Sequence, residues 1–236
     1  MQQVLHFLNQ LAANNNREWF NTHKQDYLQA FNRFLDFSQS WLDGLVEIDP
    51  TCSGLSPKDC IWRIYRDTRF SANKLPYKDH FGCFPAPMRV PGNPNTGGKH
   101  SDRGGYYVHI QPGACMFAAG IWGPTPELLK ALRTEVSANY EELEALFADA
   151  AFRSAFQDID STWSLKRVPQ GFDPNHPHAD WLKCRAYLIS TYFTDDEVCA
   201  PDFLNKVLEL TALAKPFNDF LNYTFEEYGE FAERRF

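Results

Sequence analysis

The spacing of hydrophobic residues divides the first part of the chain into two helices. From Val4 to Leu11, apolar side chains recur every three or four residues, which predicts a short amphipathic helix over residues 2–13. Three asparagines interrupt this pattern, and Asn16 is placed to cap the next helix by accepting from its free N–H groups. Helical spacing then resumes and fades only near Asp49 and Pro50, so the second helix should be long. The two together predict a helical hairpin.

Beyond residue 58 the hydrophobic residues fall into short stretches that are typical of strands. The stretches 106–111 and 114–122 flank Pro112 and Gly113, a compact turn signal, so they predict an antiparallel hairpin. Prolines interrupt residues 80–90, which predicts an edge strand or an irregular one. The remaining predicted strands are 60–66, 163–168 and 185–193.

Later stretches return to helical spacing. A helix is predicted to begin at Thr125, with proline at its first position, and to run to about Gln157 with one interruption at most. A short helix is predicted over 177–183, and a closing helix over 201–227 that Pro216 should kink or split. Because strand connections are mostly hairpins, the predicted fold class is α+β, an antiparallel β-sheet with an N-terminal helical hairpin and C-terminal helices packed on it. With no repeat or linker, residues 1–236 should form a single domain.

Composition and charge narrow the classes of function. The chain has 236 residues, of which 44% are hydrophobic, and a formal net charge of −7, which argues against general binding of nucleic acid or of an anionic membrane. No apolar stretch approaches the ~20 residues of a membrane span, and the N-terminus lacks signal-peptide features. The six cysteines are scattered without a C-x-x-C pair, so reduced thiols in the cytoplasm are predicted. Phosphate-loop, dinucleotide, zinc-protease and nucleophile-elbow signatures are missing, so no cofactor is predicted.

One segment contrasts with this acidic background. Residues 62–80, WRIYRDTRFSANKLPYKDH, carry five basic side chains but only two acidic ones. Four aromatic residues, Trp62, Tyr65, Phe70 and Tyr77, are interleaved with the basic ones. Since arginine forks match phosphate and carboxylate oxygens, the segment predicts a site for a small anion. The basic residues are Arg63, Arg66, Arg69, Lys74 and Lys78.

The two acidic residues of this segment leave a second interpretation open. Strand alternation would place Arg63 on one face and Arg66 on the other, with Asp67 orienting one of the arginines at the site. Alternatively, Asp67 pairs with Arg66 or Arg69 in an internal ion-pair network that only fixes the fold.

Other residues could complete an anion site. Tyr107 and His109 share a face of the predicted hairpin, where His109 is either a proton donor or acceptor, or a strand histidine bonded to a carbonyl. Lys166 and Arg167 would join the same pocket if their strand neighbours residues 60–66. The loop 91–105, with five glycines and two prolines, is predicted to be flexible and to act as a lid.

Two further motifs have a structural explanation beside a functional one. His176 and His178 lie among aspartates, but no third ligand follows at a diagnostic spacing, so a turn leading into a helix at Pro177 is favoured over a metal site. The motif NNNREWF is explained by a capped helix start, with Trp19 as an anchor in the core.

Several motifs occur together in an order that resembles a known family. NNNREWF, IYRDTRFSANKLPYK, GGYYVHIQPG, AAGIW and LKRVPQGFDPNHP are similar to segments of the domain of unknown function 2461 and span nearly the whole chain. The resemblance implies a single domain and supports the choice of residues, but it transfers no reaction type. The family pattern has aspartate where this chain has Asn73, so a general base or metal ligand at that position would be absent here.

The favoured hypothesis is a protein that binds, or also turns over, a small anion bearing phosphate or carboxylate. The sequence alone decides neither whether it is an enzyme nor its oligomeric state. The alternatives are a nucleic-acid-binding module, with aromatic side chains stacking on bases, and a structural or interaction protein. The predicted ligand-binding residues are Arg63, Arg66, Asp67, Arg69, Lys74, Tyr77, Lys78, Tyr107, His109, Lys166 and Arg167.

Overall fold

An antiparallel sheet of four strands organises the protein. In a computed structural model that describes residues 1–69 and 72–229, the strands pair in chain order, with β1 and β4 at the two edges. The strands are β1 (Phe81–Cys83), β2 (Gly105–Ile110), β3 (Cys115–Ile121) and β4 (Tyr187–Phe193). Helices at both ends of the chain pack on this sheet, which confirms the predicted α+β class.

The N-terminal helical hairpin has one more break than its spacing predicts. Helix α1 (Gln2–Ala13) is confirmed, and Asn16 caps α2 (Arg17–Thr22) by accepting from the backbone N–H of Trp19. A third helix, α3 (Lys24–Ile48), then begins after His23. The ring of His23 stacks on that of Trp19 at 4.1 Å, and its backbone N–H bonds the Trp19 carbonyl, which ends α2.

The predicted strand over residues 60–66 is wrong. Cys60 ends a short helix, α4 (Pro57–Cys60), which begins with a capping box between Ser56 and Asp59. The residues that follow make only two isolated bridges, Ile61 with Cys83 and Tyr65 with Tyr77. Pro76 has no N–H to donate, so a continuous ladder cannot form beside it. The segment therefore lies along β1 as an irregular hairpin.

The hairpin of β2 and β3 is confirmed, and it separates two faces of the sheet. Tyr106, Val108 and Ile110 are buried on the core face against the helices. We call the opposite face the outer face. Its residues pair across the strands according to the register, and they do not belong to the hydrophobic core. These outer-face residues are Gly82, Tyr107, His109, Met116, Ala118 and Tyr192.

The segment between β3 and β4 is more broken than the helical spacing predicts. It forms α5 (Pro126–Ala138), α6 (Tyr140–Ala148) and α7 (Ala150–Phe156), where one interruption at most was predicted. Asp149 causes the second break, because its side chain caps α7 by accepting from the N–H of Phe152. The predicted strand 163–168 is wrong, since this stretch consists of turns and bends, and the N–H of Leu165 donates to the backbone carbonyl of Lys183 without a ladder forming there. Helix α8 (Ala179–Lys183) follows.

The C-terminal part contains one short helix that the spacing did not reveal, α9 (Asp195–Cys199), which opens with a capping box between Thr194 and Glu197. The closing helix, α10 (Phe203–Tyr228), is not split at Pro216. Burial of Ala214, Phe217 and Leu221 along one side outweighs the hydrogen bond that proline removes. In the described part of the chain no helix has both the length and the apolar character needed to cross a bilayer.

The glycine-rich loop 91–105 contains two 3₁₀ turns, Pro94–Thr96 and Gly98–His100. Its Lys99 ammonium donates to the backbone carbonyls of Lys58 and Ile61 at the end of α4. The loop thus packs beside the start of the irregular hairpin. Its action as a flexible lid stays a prediction.

Candidate functional site

The cationic segment folds back on itself at the β1 edge of the sheet. The N–H of Lys78 donates to the carbonyl of Ile64 at 2.8 Å, and the N–H of Arg66 donates to that of Pro76 at 3.0 Å. Beyond this hairpin, Tyr77, Phe81 and Cys83 are buried in the core. The ring of His80 lies 4.4 Å from that of His109 on β2, which places His80 on the outer face two residues after Lys78.

Asn15 holds this hairpin against the N-terminal helices. Its side-chain amide donates to the carbonyl of Tyr77 at 3.0 Å and accepts from the N–H of the same residue at 3.1 Å, as a neighbouring strand would. The ring of Tyr77 also stacks on Phe20 at 4.0 Å between centroids. Tyr77 is thus an anchor of the hairpin rather than a ligand-facing residue, and the sequence indicated only a capped helix start around Asn15.

Three basic side chains come together beside this anchor, and we call Arg63, Arg66 and Lys78 the cationic cluster. Half-burial of Lys78, followed by the charges of Arg63 and then Arg66, lowers the pKa of the Lys78 ammonium. Within residues 1–69 and 72–229, none of the three side chains has a hydrogen bond or an ion pair. The continuous strand on which alternation would separate the two arginines is not formed, and the charges of both act on Lys78.

Asp67 and Arg69 form a local pair beside this cluster, and the charge of Arg63 also acts on Asp67. The guanidinium Nη2 of Arg69 lies 2.6 Å from Oδ2 of Asp67, and its Nε also donates to this carboxylate. These bonds lower the pKa of Asp67 to about 2. Lys74 donates to the carbonyl of Thr68 at 2.9 Å in the same loop. Among the described residues, Asp67 makes no hydrogen bond to an arginine of the cationic cluster, so its orienting role there stays a prediction. Phe70 lies outside the described residues.

A chain of hydrogen bonds crosses the outer face next to the cluster, and we call it the histidine network. Tyr107 Oη lies 2.8 Å from His109 Nδ1, and His109 Nε2 lies 2.9 Å from Gln111 Oε1. Gln111 Nε2 donates to Asp79 Oδ2 at 3.3 Å, and Asp79 Oδ1 accepts from His80 Nδ1 at 3.2 Å. Since a carboxylate only accepts, the direction of donation runs from Tyr107 through His109 and Gln111 to Asp79.

Both histidines of the network are neutral at neutral pH. Burial lowers the pKa of His109, and burial together with His109 itself lowers that of His80 to about 4. Their rings lie 4.4 Å apart, and the charge of Lys78 also disfavours protonation of His80. The network therefore borders the cationic cluster and adds hydrogen-bonding groups without adding charge. His80 was not among the predicted site residues, although its position two residues after Lys78 placed it on the same face.

Acidification should destabilise the protein through His80. Its pKa is about 4 in the folded protein and about 6.5 in an unfolded chain. The unfolded chain binds this proton more tightly, so His80's contribution is complete above about pH 6.5 and is lost as pH falls towards 4. Because His80 is partly exposed, we expect urea unfolding to show a loss of about 1–2 kcal/mol from this residue. Over the same fall in pH, the variant His80→Gln should lose less stability than the parent. Equal losses of stability would contradict the assignment to His80.

Two predicted site residues lie elsewhere. Lys166 and Arg167 are exposed and follow Leu165, whose backbone bonds that of Lys183 just before β4. They therefore lie at the opposite edge of the sheet from the cationic cluster and do not join it. The condition on which they would join the site, a strand that neighbours residues 60–66, is not met, because β2 and β3 separate the two edges.

The histidines of the loop before α8 have structural contacts. His176 Nε2 donates to the carbonyl of Ser137 at 3.2 Å, and its Nδ1 accepts from the N–H of His178. The ring of His178 stacks on Trp181 at 3.7 Å. Within the described residues, no three histidine, cysteine or acidic side chains are grouped as metal ligands.

Two cavities open away from the cationic cluster. One, of about 400 Å³, lies between α1 and α9 and includes His6 and Cys199. The other, of about 430 Å³, lies between residues 158–166 and α8 and includes Lys166 and Trp181. Neither is lined by Arg63, Arg66 or Lys78, so the cluster is not the floor of either of these two cavities.

Comparison with known proteins gives one match. A family model described as conserved hypothetical protein (DUF2461) matches residues 3–220. The chain belongs to this family. No curated protein and no solved structure matches it. Three of the DUF2461-like motifs meet at the β1 edge: NNNREWF supplies Asn15, the cationic segment supplies the cluster, and GGYYVHIQPG supplies Tyr107, His109 and Gln111.

The other DUF2461-like motifs serve different parts of the fold. AAGIW lies in β3, where Gly120 has a φ of +123° and a side chain would collide with the carbonyl of Tyr187 on β4. LKRVPQGFDPNHP lies at the opposite edge of the sheet. Asn73, which replaces the aspartate of the family pattern, accepts from the N–H of Leu75 at 3.0 Å. Aspartate would accept the same bond, so the substitution is compatible with a turn.

Proposed function

We propose that this protein binds a small anion, bearing phosphate or carboxylate, at the cationic cluster on the outer face of the sheet. The observation that carries the proposal is a half-buried Lys78 held by the hairpin next to Arg63 and Arg66, with no carboxylate within ion-pair distance of any of the three in the described residues. Like charges held together repel one another, and this cost is relieved when an anion binds. Such clusters mark functional sites, although structural networks also perturb pKa values.

The competing interpretation, an internal ion-pair network, accounts for only part of the motif. The Asp67–Arg69 pair is local and exposed, with 47% and 77% of the two side chains accessible. An exposed pair of this kind contributes little to stability. It leaves Arg63, Arg66 and Lys78 unexplained, and anion binding gives those three a common role. Whether the bound anion also reacts stays open.

Thermal unfolding in the presence of anions tests the proposal. Inorganic phosphate, sulfate and citrate are added at constant ionic strength, with sodium chloride as the reference. A ligand that binds only the folded protein stabilises it by about 2.7 kcal/mol at a concentration one hundred times its Kd. We expect at least one of these anions to raise the melting temperature, and the variant Lys166→Gln/Arg167→Gln to respond like the parent. No shift with any anion would overturn the proposal.

A further inference from the structure

An aromatic surface borders the cationic cluster. Trp62 precedes Arg63 in the chain, and 37% of its surface is exposed. Its ring stacks on Phe84 at 6.0 Å and meets the edge of Tyr107 at 5.9 Å. These contacts fix the orientation of the indole on the outer face, and the rest of its surface is open to solvent. Phe84 and Tyr107 thus support Trp62 as a platform rather than covering it.

We infer that the anion is a phosphate monoester that carries a planar aromatic ring, the chemistry of a nucleoside monophosphate. This inference rests on the proposed function and names its ligand class. The cationic cluster would hold the phosphate, and Trp62 would stack on the ring. Stacking of a base on an aromatic side chain is favourable and tolerates any base, because every base has a π-face.

The charge of the cluster favours phosphate over carboxylate. Arg63, Arg66 and Lys78 carry three positive charges when Lys78 is protonated. A phosphate monoester brings a charge of about −2 and three acceptor oxygens at pH 7, whereas a carboxylate brings one charge and two oxygens. The dianion therefore neutralises more of the repulsion among the three groups, which adds to burial in lowering the Lys78 pKa.

The histidine network connects the aromatic platform with the cationic cluster. Tyr107, whose edge meets the Trp62 ring at 5.9 Å, is the first member of this network. At its other end His80 Nδ1 is bonded to Asp79, and His80 lies close enough to Lys78 for the ammonium charge to disfavour its protonation. His80 Nε2 has no partner among residues 1–69 and 72–229, and in the neutral ring it is an acceptor for a hydroxyl of the ligand.

Calorimetric titration with matched ligands tests the inference. The probes are adenosine 5′-monophosphate, ribose 5-phosphate, adenosine and inorganic phosphate, all at the same ionic strength. We expect the nucleotide to bind about tenfold more tightly than ribose 5-phosphate, because only the nucleotide supplies a ring to stack. In Trp62→Leu this preference should disappear while ribose 5-phosphate binds as before. The control Trp163→Leu, at another exposed tryptophan, should keep the preference.

The outcomes separate this inference from the function on which it rests. Equal affinities for the nucleotide and ribose 5-phosphate would overturn the ring assignment and leave anion binding intact. Failure of every phosphate-bearing probe would overturn both. A single-stranded oligonucleotide that binds far more tightly than the nucleotide would overturn the small-ligand assignment in favour of nucleic acid. Circular dichroism of Trp62→Leu checks its fold, and retained ribose 5-phosphate binding shows that the site is still formed.

Discussion

Replacing both arginines of the cationic cluster should abolish anion binding without destabilising the protein. In Arg63→Gln/Arg66→Gln, we expect the affinity for inorganic phosphate to fall at least about 100-fold, since each charge-assisted hydrogen bond contributes about 1.5–3 kcal/mol. The melting temperature without phosphate should stay the same or rise, because two charges that repel Lys78 are removed. Calorimetry and thermal unfolding measure the two effects on the same samples.

The matched control also removes two positive charges, but at the opposite edge of the sheet from the cationic cluster. Lys166→Gln/Arg167→Gln should keep the phosphate affinity of the parent, because neither residue lies near the cluster. If the arginine variant instead loses about 3–5 kcal/mol of stability, as when a buried ion pair is broken, the segment is a structural network and our account is wrong.

Removing the Asn15 side chain should weaken both the fold and the site. In Asn15→Ala, the N–H and carbonyl of Tyr77 each lose a partner in a partly buried position. Such losses cost about 1–1.5 kcal/mol each, so we expect urea unfolding to show a decrease of about 2–3 kcal/mol. Phosphate affinity should also fall, because Lys78 follows Tyr77 directly and the hairpin that positions it loosens.

The neighbouring asparagine provides the comparison. Among the described residues, the side chain of Asn14 bonds only the carbonyl of Gln10, in an exposed position, so Asn14→Ala should change stability by less than about 1 kcal/mol. Equal effects of the two substitutions on stability, or an Asn15→Ala variant that binds phosphate like the parent, would contradict this prediction. Either result would show that the hydrogen bonds between Asn15 and Tyr77 do not hold the site in place.

The fold class could be predicted from the sequence because its main signals are local. Helical spacing in α1, the Asn16 cap, and the turn at Pro112 and Gly113 each depend on residues a few positions apart. The breaks within the helices were harder to predict. They depend on a ring stack at His23 and a cap at Asp149, which compete with a continuous apolar pattern.

The site was only partly predictable, because its geometry depends on contacts between distant residues. The cationic composition of residues 62–80 indicated the right segment, but alternation failed where Pro76 interrupts the ladder. The hydrogen bonds between Asn15 and Tyr77, and the one between Gln111 and Asp79, join residues that are far apart in the chain. Lys166 and Arg167 were grouped with the site on charge alone, and the strand order separates them from it.

The pKa of Lys78, measured with and without inorganic phosphate, tests the central claim most directly. NMR of isotope-labelled lysine side chains follows this titration. We predict that the pKa of Lys78 lies below that of an ordinary lysine in the free protein, because the side chain is half buried and Arg63 and Arg66 repel its charge. Bound phosphate should raise that pKa. A Lys78 pKa that is the same with and without phosphate would contradict anion binding at the cationic cluster.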